Sequence, residues 1–293
     1  MELLRPLGRL SRPLNVLLMA LTYLLGVGIA RYLGTSMRVQ AFWLGLGGVL
    51  LAQITMSLLA EVFRSDAGAA ADEVEARRQR TTREAALYVS IAALAACALI
   101  AFVLYRDGTL SAATLICLAA SVLIIVLYSV PPLRFLDRGF GELLLAIHVA
   151  YLGPSIGFLL QAGSFHLLLN TSILPLTLLL LATYLVLDLP SYAEDLKYQR
   201  TTLLLRIGWE NALKLHHALL LASYVLLGTS VLFGYSFALL APAFLTVPFA
   251  VLQWNFLRNI ARGARPIWGL LTANAVAVFG LTAYFLTLSF WLR

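Results

Sequence analysis

The chain reads as an all-α polytopic membrane protein, with nine transmembrane helices in one bundle and a polar mouth at its inner face. Three observations predict that class. Hydrophobic residues make up 61% of the 293 residues and charged residues only 12%, against roughly 25% charged in a soluble domain. Mean hydropathy is +0.89. The few charges are spaced so that long runs contain none. Together these exclude a soluble globular domain, a disordered chain and a disulfide scaffold, and no alternating-strand pattern suggests a barrel.

Charges mark the helix boundaries, because a charged side chain at the centre of a membrane helix costs about 2.5–3.5 kcal/mol on insertion scales. The charge-free runs are 13–30, 39–60, 85–105, 108–133, 143–187, 215–257 and 266–292. Five are long enough for one span each. The runs 143–187 and 215–257 each hold two, divided by the turn residues Gly163–Ser164 and Gly234–Tyr235–Ser236. Nine helices result, forming a single domain over residues 1–293.

An odd count puts the termini on opposite sides. With the N-terminus inside, the inner segments collect Arg5, Arg9 and Arg12, five arginines from Arg64 to Arg83, Arg134 and Arg138, four basic residues from Lys197 to Lys214, and Arg258, Arg262 and Arg265. The outer side has Arg31, Arg38, Arg106 and Arg293. Seventeen against four predicts a cytoplasmic N-terminus and an external C-terminus in a bacterial or archaeal cell membrane. The net charge of +7 then meets anionic lipid headgroups, with no nucleic acid required. The basic N-terminal stretch leads into a full span without a small-residue cleavage site, so it does not read as a cleavable signal. Cys97 and Cys117 fall inside spans and read as small apolar packers.

Polar chemistry concentrates in two inner loops. Loop 2/3 carries Glu61, Arg64, Asp66, Asp72, Glu73, Glu75, Arg77, Arg78, Arg80, Arg83 and Glu84. Loop 6/7 carries Asp188, Glu194, Asp195, Lys197, Arg200, Arg206 and Glu210. Solvated loops with exposed ion pairs would account for such a pattern. So would a site, because carboxylates take Mg²⁺, Mg²⁺ bridges phosphate oxygens, and Arg or Lys neutralises the remaining charge. Glu61 and Asp188 sit at helix ends, where a side chain reaches the lip of a bundle. A short echo, Glu75 to Gln79-Arg80-Thr81-Thr82 against Asp195 to Gln199-Arg200-Thr201-Thr202, hints at two related halves.

The spans themselves contain almost no ionisable groups, His148 being the main exception. That argues against an ion-coupled transporter, which needs acids or bases at mid-membrane. Gln53, Gln161, Asn170, Gln253, Asn255 and Asn274 read as interhelical hydrogen-bonding residues, and His148 as a packing residue. An apolar interior with one charged mouth suits a lipid that has a phosphorylated head and a long hydrocarbon tail.

Several motifs carry a resemblance. Asp188-Leu-Pro-Ser-Tyr-Ala-Glu-Asp195, followed by Arg200, Thr202, Leu203, Arg206 and Gly208, resembles the second aspartate motif of the UbiA superfamily of intramembrane prenyltransferases. Tyr128-Ser-Val-Pro-Pro-Leu-Arg134, Gly139-Phe-Gly-Glu-Leu-Leu144 with Gly153-Pro154, and Arg12-Pro13-Leu-Asn15 resemble other segments of that family, the span-5 opening being most similar in menaquinone-type members. The chain also departs from the pattern. Ser191 stands where the second motif has an Asp. The first motif is degenerate: an ungapped register puts Asp66 on its last Asp and leaves Val62 and Leu58 on earlier polar positions, whereas a shifted register uses Glu61.

The resemblance implies a Mg²⁺-dependent prenyltransferase that moves a polyprenyl group from its diphosphate to a small aromatic, quinone-precursor acceptor. It implies Asp195 and Asp66 as catalytic residues and Asp195, Asp188, Asp66 and Glu61 as metal ligands. Lys197, Arg200, Arg80 and Arg134 would neutralise the diphosphate, and Tyr128 would face the allylic cation. The incomplete motifs leave two alternatives open: a catalytically silent lipid-binding or scaffold member of the fold, and a terpene cyclase in which the cation closes on its own tail.

Overall fold

The computed structural model of the chain describes residues 8, 10–64, 73–197 and 201–293, with the side chains of residues 73–75 outside that description. Asp66 and Arg200, expected in the site, lie outside the described residues.

Among the described residues, nine helices are long and apolar enough to cross a membrane. They are α1 (Pro13–Tyr32), α2 (Val39–Val62), α3 (Glu73–Arg106), α4 (Ala112–Ser129), α5 (Gly141–Ala162), α6 (Leu167–Leu187), α7 (Trp209–Thr229), α8 (Phe237–Ala261) and α9 (Trp268–Trp291). The elements start and stop where local chemistry dictates. Pro13 opens α1, where its missing N–H costs nothing. The Ser111 hydroxyl accepts from Thr114 N at 3.2 Å and caps α4. The two long apolar runs break at glycines with positive φ, Gly163 (φ 76°) after α5 and Gly234 (φ 84°) before α8.

α1 lies on α5, α2 on α3 and α4, α6 on α7, and α9 on both α1 and α6. Burial ranks them, with α5 and α6 most enclosed and α3 most lipid-facing: Tyr88, Ile91, Leu99, Phe102 and Tyr105 all point outward from α3. The α1–α5 seam depends on small residues, as expected where close backbone approach replaces a hydrophobic driving force. A Cβ on Gly26 would overlap the Pro154 carbonyl, and one on Gly157 would come within 2.6 Å of the Tyr23 carbonyl. The last helix is tied to the first where Trp291 Nε1 donates to the Leu24 carbonyl at 2.9 Å, with Gly28 making room for the indole.

Several buried polar side chains within the spans pair with one another, as lipid favours. His148 Nδ1 meets Gln53 Oε1 at 3.1 Å and Nε2 meets Ser121 Oγ at 2.9 Å, tying α5 to α2 and α4. The amide oxygen can only accept, so Nδ1 carries the proton and Nε2 accepts from the serine. Gln161 accepts from Arg38 N, Asn170 from Tyr151, and Gln253 from Asn274 Nδ2 at 2.7 Å. His148 is therefore a packing residue. His148→Leu is expected to cost about 1 kcal/mol, read as a modest fall in Tm, with the rate of any catalysed reaction preserved below it. Two turns into α7, buried His216 stacks edge-on with half-buried His217, beyond the one histidine singled out in the sequence.

Candidate active site

The C-terminal ends of α2, α4 and α6 bring their residues together at one end of the bundle, where Ser129 Oγ donates to the Met56 carbonyl and Arg134 Nη2 to the Ala60 carbonyl. Loop 4/5 docks on loop 6/7: Arg138 bridges to Thr201, Arg206 Nη1 donates to the Arg138 carbonyl at 2.6 Å, and the Arg206 guanidinium sits 4.2 Å over the Phe140 ring. Gly139 (φ 73°) permits this approach, since a Cβ there would press within 3.0 Å of Arg206 and the Thr202 carbonyl. Glu142, in the first turn of α5, accepts from Leu203 N at 3.1 Å and completes the junction.

Two acids of the 188–195 segment face this junction. Asp188 caps the end of α6 and lies within hydrogen-bonding reach of Glu142. Its Oδ2 and the Glu142 Oε2 are sealed from solvent without a hydrogen-bond partner. A turn at Leu189–Ser191 and a short helix Tyr192–Lys197 carry the chain on. Asp195 on that helix is buried, accepts from Ser191 Oγ at 2.7 Å, and is near enough to Asp188 for their charges to interact.

Cationic and phenolic groups stand opposite. Arg12 precedes α1 and is exposed along much of its length, yet its guanidinium turns inward and donates to Tyr128 Oη at 2.8 Å. The Tyr128 hydroxyl, and more weakly Tyr184 and Asp188, raise the Arg12 guanidinium above its ordinary value while burial opposes them, so Arg12 stays charged. Tyr184 Oη donates to Asn15 Oδ1 at 3.2 Å. Arg134 is buried at the C-terminal end of α2, donating to the Ala60 carbonyl at 3.2 Å and pairing with Asp137 at 2.6 Å, with its Nη1 unpartnered. Among the described residues, Arg12 (φ 50°) and Arg134 (φ 29°) are the non-glycine residues with positive φ. Each such conformation costs on the order of 1–3 kcal/mol, and strain of that kind collects at functional sites.

The expected residues therefore divide. Asp188, Asp195, Tyr128 and Arg134 are inward-facing or buried at the polar end. Glu61 instead forms a partly exposed pair with Arg64, at 3.3 Å, and Arg80 and Lys197 are exposed. Among the described residues no group of three or more His, Cys, Asp or Glu converges as a metal cluster. A cleft of about 180 Å³ at the same end, between α8 and α9, is lined by Phe256, Asn259, Arg265 and Leu270 and contains none of these acids. Arg12 and Glu142 were in the quoted motifs but were not expected as site residues. An acid in the first turn of an otherwise apolar span was the available signal for Glu142.

The UbiA prenyltransferase family model matches residues 72–274, which takes in α3 through the first two turns of α9 and both the Tyr128–Arg134 and the 188–195 segments. The chain belongs to the UbiA prenyltransferase family. No curated protein matches it. Solved structures share its fold at low identity. A UbiA homolog from Archaeoglobus fulgidus bound to GPP and Mg²⁺ superposes with a TM-score of 0.69 at 17% identity, covering 94% of this chain and 99% of that one. The same homolog bound to DMAPP and Mg²⁺ gives 0.68 at 17%, covering 94% and 98%. Its Cd²⁺-bound structure gives 0.65 at 20%, covering 95% and 98%. The chain is thus an integral membrane protein of a prenyltransferase family with the UbiA fold.

Proposed function

We propose that this UbiA-family chain is a Mg²⁺-dependent enzyme that transfers a polyprenyl group from its diphosphate to a small aromatic, quinone-precursor acceptor. The observation that carries the reading is the juxtaposition at one bundle end of sealed carboxylates, Asp188 and Asp195, with the strained arginines Arg12 and Arg134. The presence of GPP or DMAPP with Mg²⁺ in similarly folded structures supports it. The sealed, donorless Asp188 Oδ2 fits Mg²⁺, which prefers hard oxygen ligands and is usually held by one or two carboxylates plus substrate phosphate and water. Asp188 and Asp195 would hold it, joined by Asp66 from loop 2/3. Mg²⁺ supplies charge neutralisation to the diphosphate.

The chain's own residues supply the rest. Arg12, fixed by Tyr128, and Arg134, through its free Nη1, neutralise the diphosphate as the allylic C–O bond breaks and the electron pair leaves with it. Lys197, Arg200 and Arg80, implied by the motifs, would add positive charge toward the same head. The apolar interior below, including Met19, Met56 and Leu185, keeps water from the allylic cation. The acceptor's ring carbon forms the new bond and its displaced proton leaves toward the polar end. The excess of Lys and Arg in the even-to-odd loops favours a cytoplasmic polar end, an internal N-terminus and an external C-terminus.

Purified protein in nanodiscs, given a prenyl diphosphate and hydroxybenzoate or dihydroxynaphthoate, is expected to release diphosphate with Mg²⁺ and to stop in EDTA. Robust turnover in EDTA would remove the metal from the mechanism. Diphosphate release without acceptor and with a cyclised product would identify a terpene cyclase. No release from any donor would leave a silent lipid-binding member.

A further inference from the structure

We propose that Glu142 supplies the carboxylate that the 188–195 segment lacks at Ser191, forming with Asp188 a two-carboxylate seat for the divalent cation; this rests on the function proposed above. Ser191 cannot ligate as an acid would, and its hydroxyl is already committed to Asp195 Oδ2 at 2.7 Å. Asp188 lies against α5, where Glu142 is within hydrogen-bonding reach, with the Asp195 charge also close. Neither Asp188 Oδ2 nor Glu142 Oε2 has a donor, and both are sealed from solvent. Two facing carboxylates away from water repel unless a cation or a proton stands between them. Glu142 is also pre-aimed. Its other oxygen accepts from Leu203 N, so the docking of loop 4/5 on loop 6/7 fixes the carboxylate before any ligand arrives. Two carboxylates with diphosphate and water oxygens make an ordinary Mg²⁺ environment, which is why no convergence of three acids is needed.

Glu142→Gln tests this, with Mn²⁺ as the spectroscopic probe. The glutamine oxygen can still accept from Leu203 N and its amide can donate to Asp188, so the junction and the fold are expected to survive. Mn²⁺ affinity, measured by electron paramagnetic resonance with inorganic diphosphate present, is expected to fall about tenfold or more. Adding Ser191→Asp to that variant is expected to restore Mn²⁺ binding, because it returns an acid to the segment. Unchanged affinity in Glu142→Gln would overturn the proposal and leave a proton shared by the two acids. Failure of Ser191→Asp to restore binding would overturn the replacement of position 191 by Glu142. Should Glu142→Gln not fold, the wild-type protein still decides: Fe²⁺ with ascorbate and peroxide is expected to cut the backbone near both Glu142 and Asp188, and cuts near Asp188 alone would overturn the seat. Mn²⁺ binding that depends on Glu142 without prenyl transfer would strike only the function; transfer with Glu142-independent Mn²⁺ binding would strike only this inference.

Discussion

Asp188→Asn is expected to lower prenyl transfer on the order of a thousandfold, or about 4 kcal/mol of barrier, while leaving the helical bundle intact. Asparagine keeps the size and the cap position at the end of α6 but loses the charge. The reason to expect intact folding is local. Asp188 Oδ2 makes no hydrogen bond, so its replacement by an amide leaves no donor stranded and relieves repulsion from Glu142. The measurement is initial velocity against Mg²⁺ concentration, beside circular dichroism and gel filtration in detergent. A folded variant with wild-type rate would remove Asp188 from the machinery. The same substitution at Asp195 is expected to be comparably severe, but it also exchanges the charged acceptor of Ser191 Oγ for a neutral amide oxygen and so reports less cleanly.

The second large effect concerns folding. Gly26→Val is expected to destabilise the bundle by more than about 3 kcal/mol, enough to abolish the monodisperse peak in gel filtration. The side chain would drive into the Pro154 backbone, which cannot swing aside as a rotamer can. Gly47→Ala is the control, because a Cβ there meets nothing within 4 Å; it is expected to behave as wild type. A well-folded Gly26→Val protein would mean that α1 and α5 can separate without loss of the fold.

Much of the architecture was legible because membrane insertion is a local decision. Each charge-free run became a helix, and the two double-length runs divided at Gly163 and Gly234, where positive φ ends a helix. Asp188 and Asp195 were legible for a related reason: they follow an apolar run directly, and the short turn after α6 keeps them at its end. The polar network around them was not. Arg12 finds Tyr128 across 116 residues, and Leu203 finds Glu142 across 61. No spacing rule links groups whose meeting depends on how loops dock after the helices assemble. Arg134 shows the opposite difficulty. Its motif pointed to phosphate, yet two of its nitrogens are spent on the α2 carboxyl end and on Asp137. Glu61 likewise satisfies its charge with Arg64, three residues away, a choice that helical periodicity allows and that an acid count along a loop does not reveal.

The indole clasp between the last helix and the first sets an order on biogenesis. Trp291 and Leu24 are separated by 267 residues, so during synthesis the opening helix leaves the ribosome long before its closing neighbour exists. Its Gly26 side can dock on the fifth helix once that is made, but its Gly28 side, which receives the indole, waits for the ninth. Only translation through the ninth helix supplies the indole, so the contact between the two ends of the chain is among the last the bundle can make.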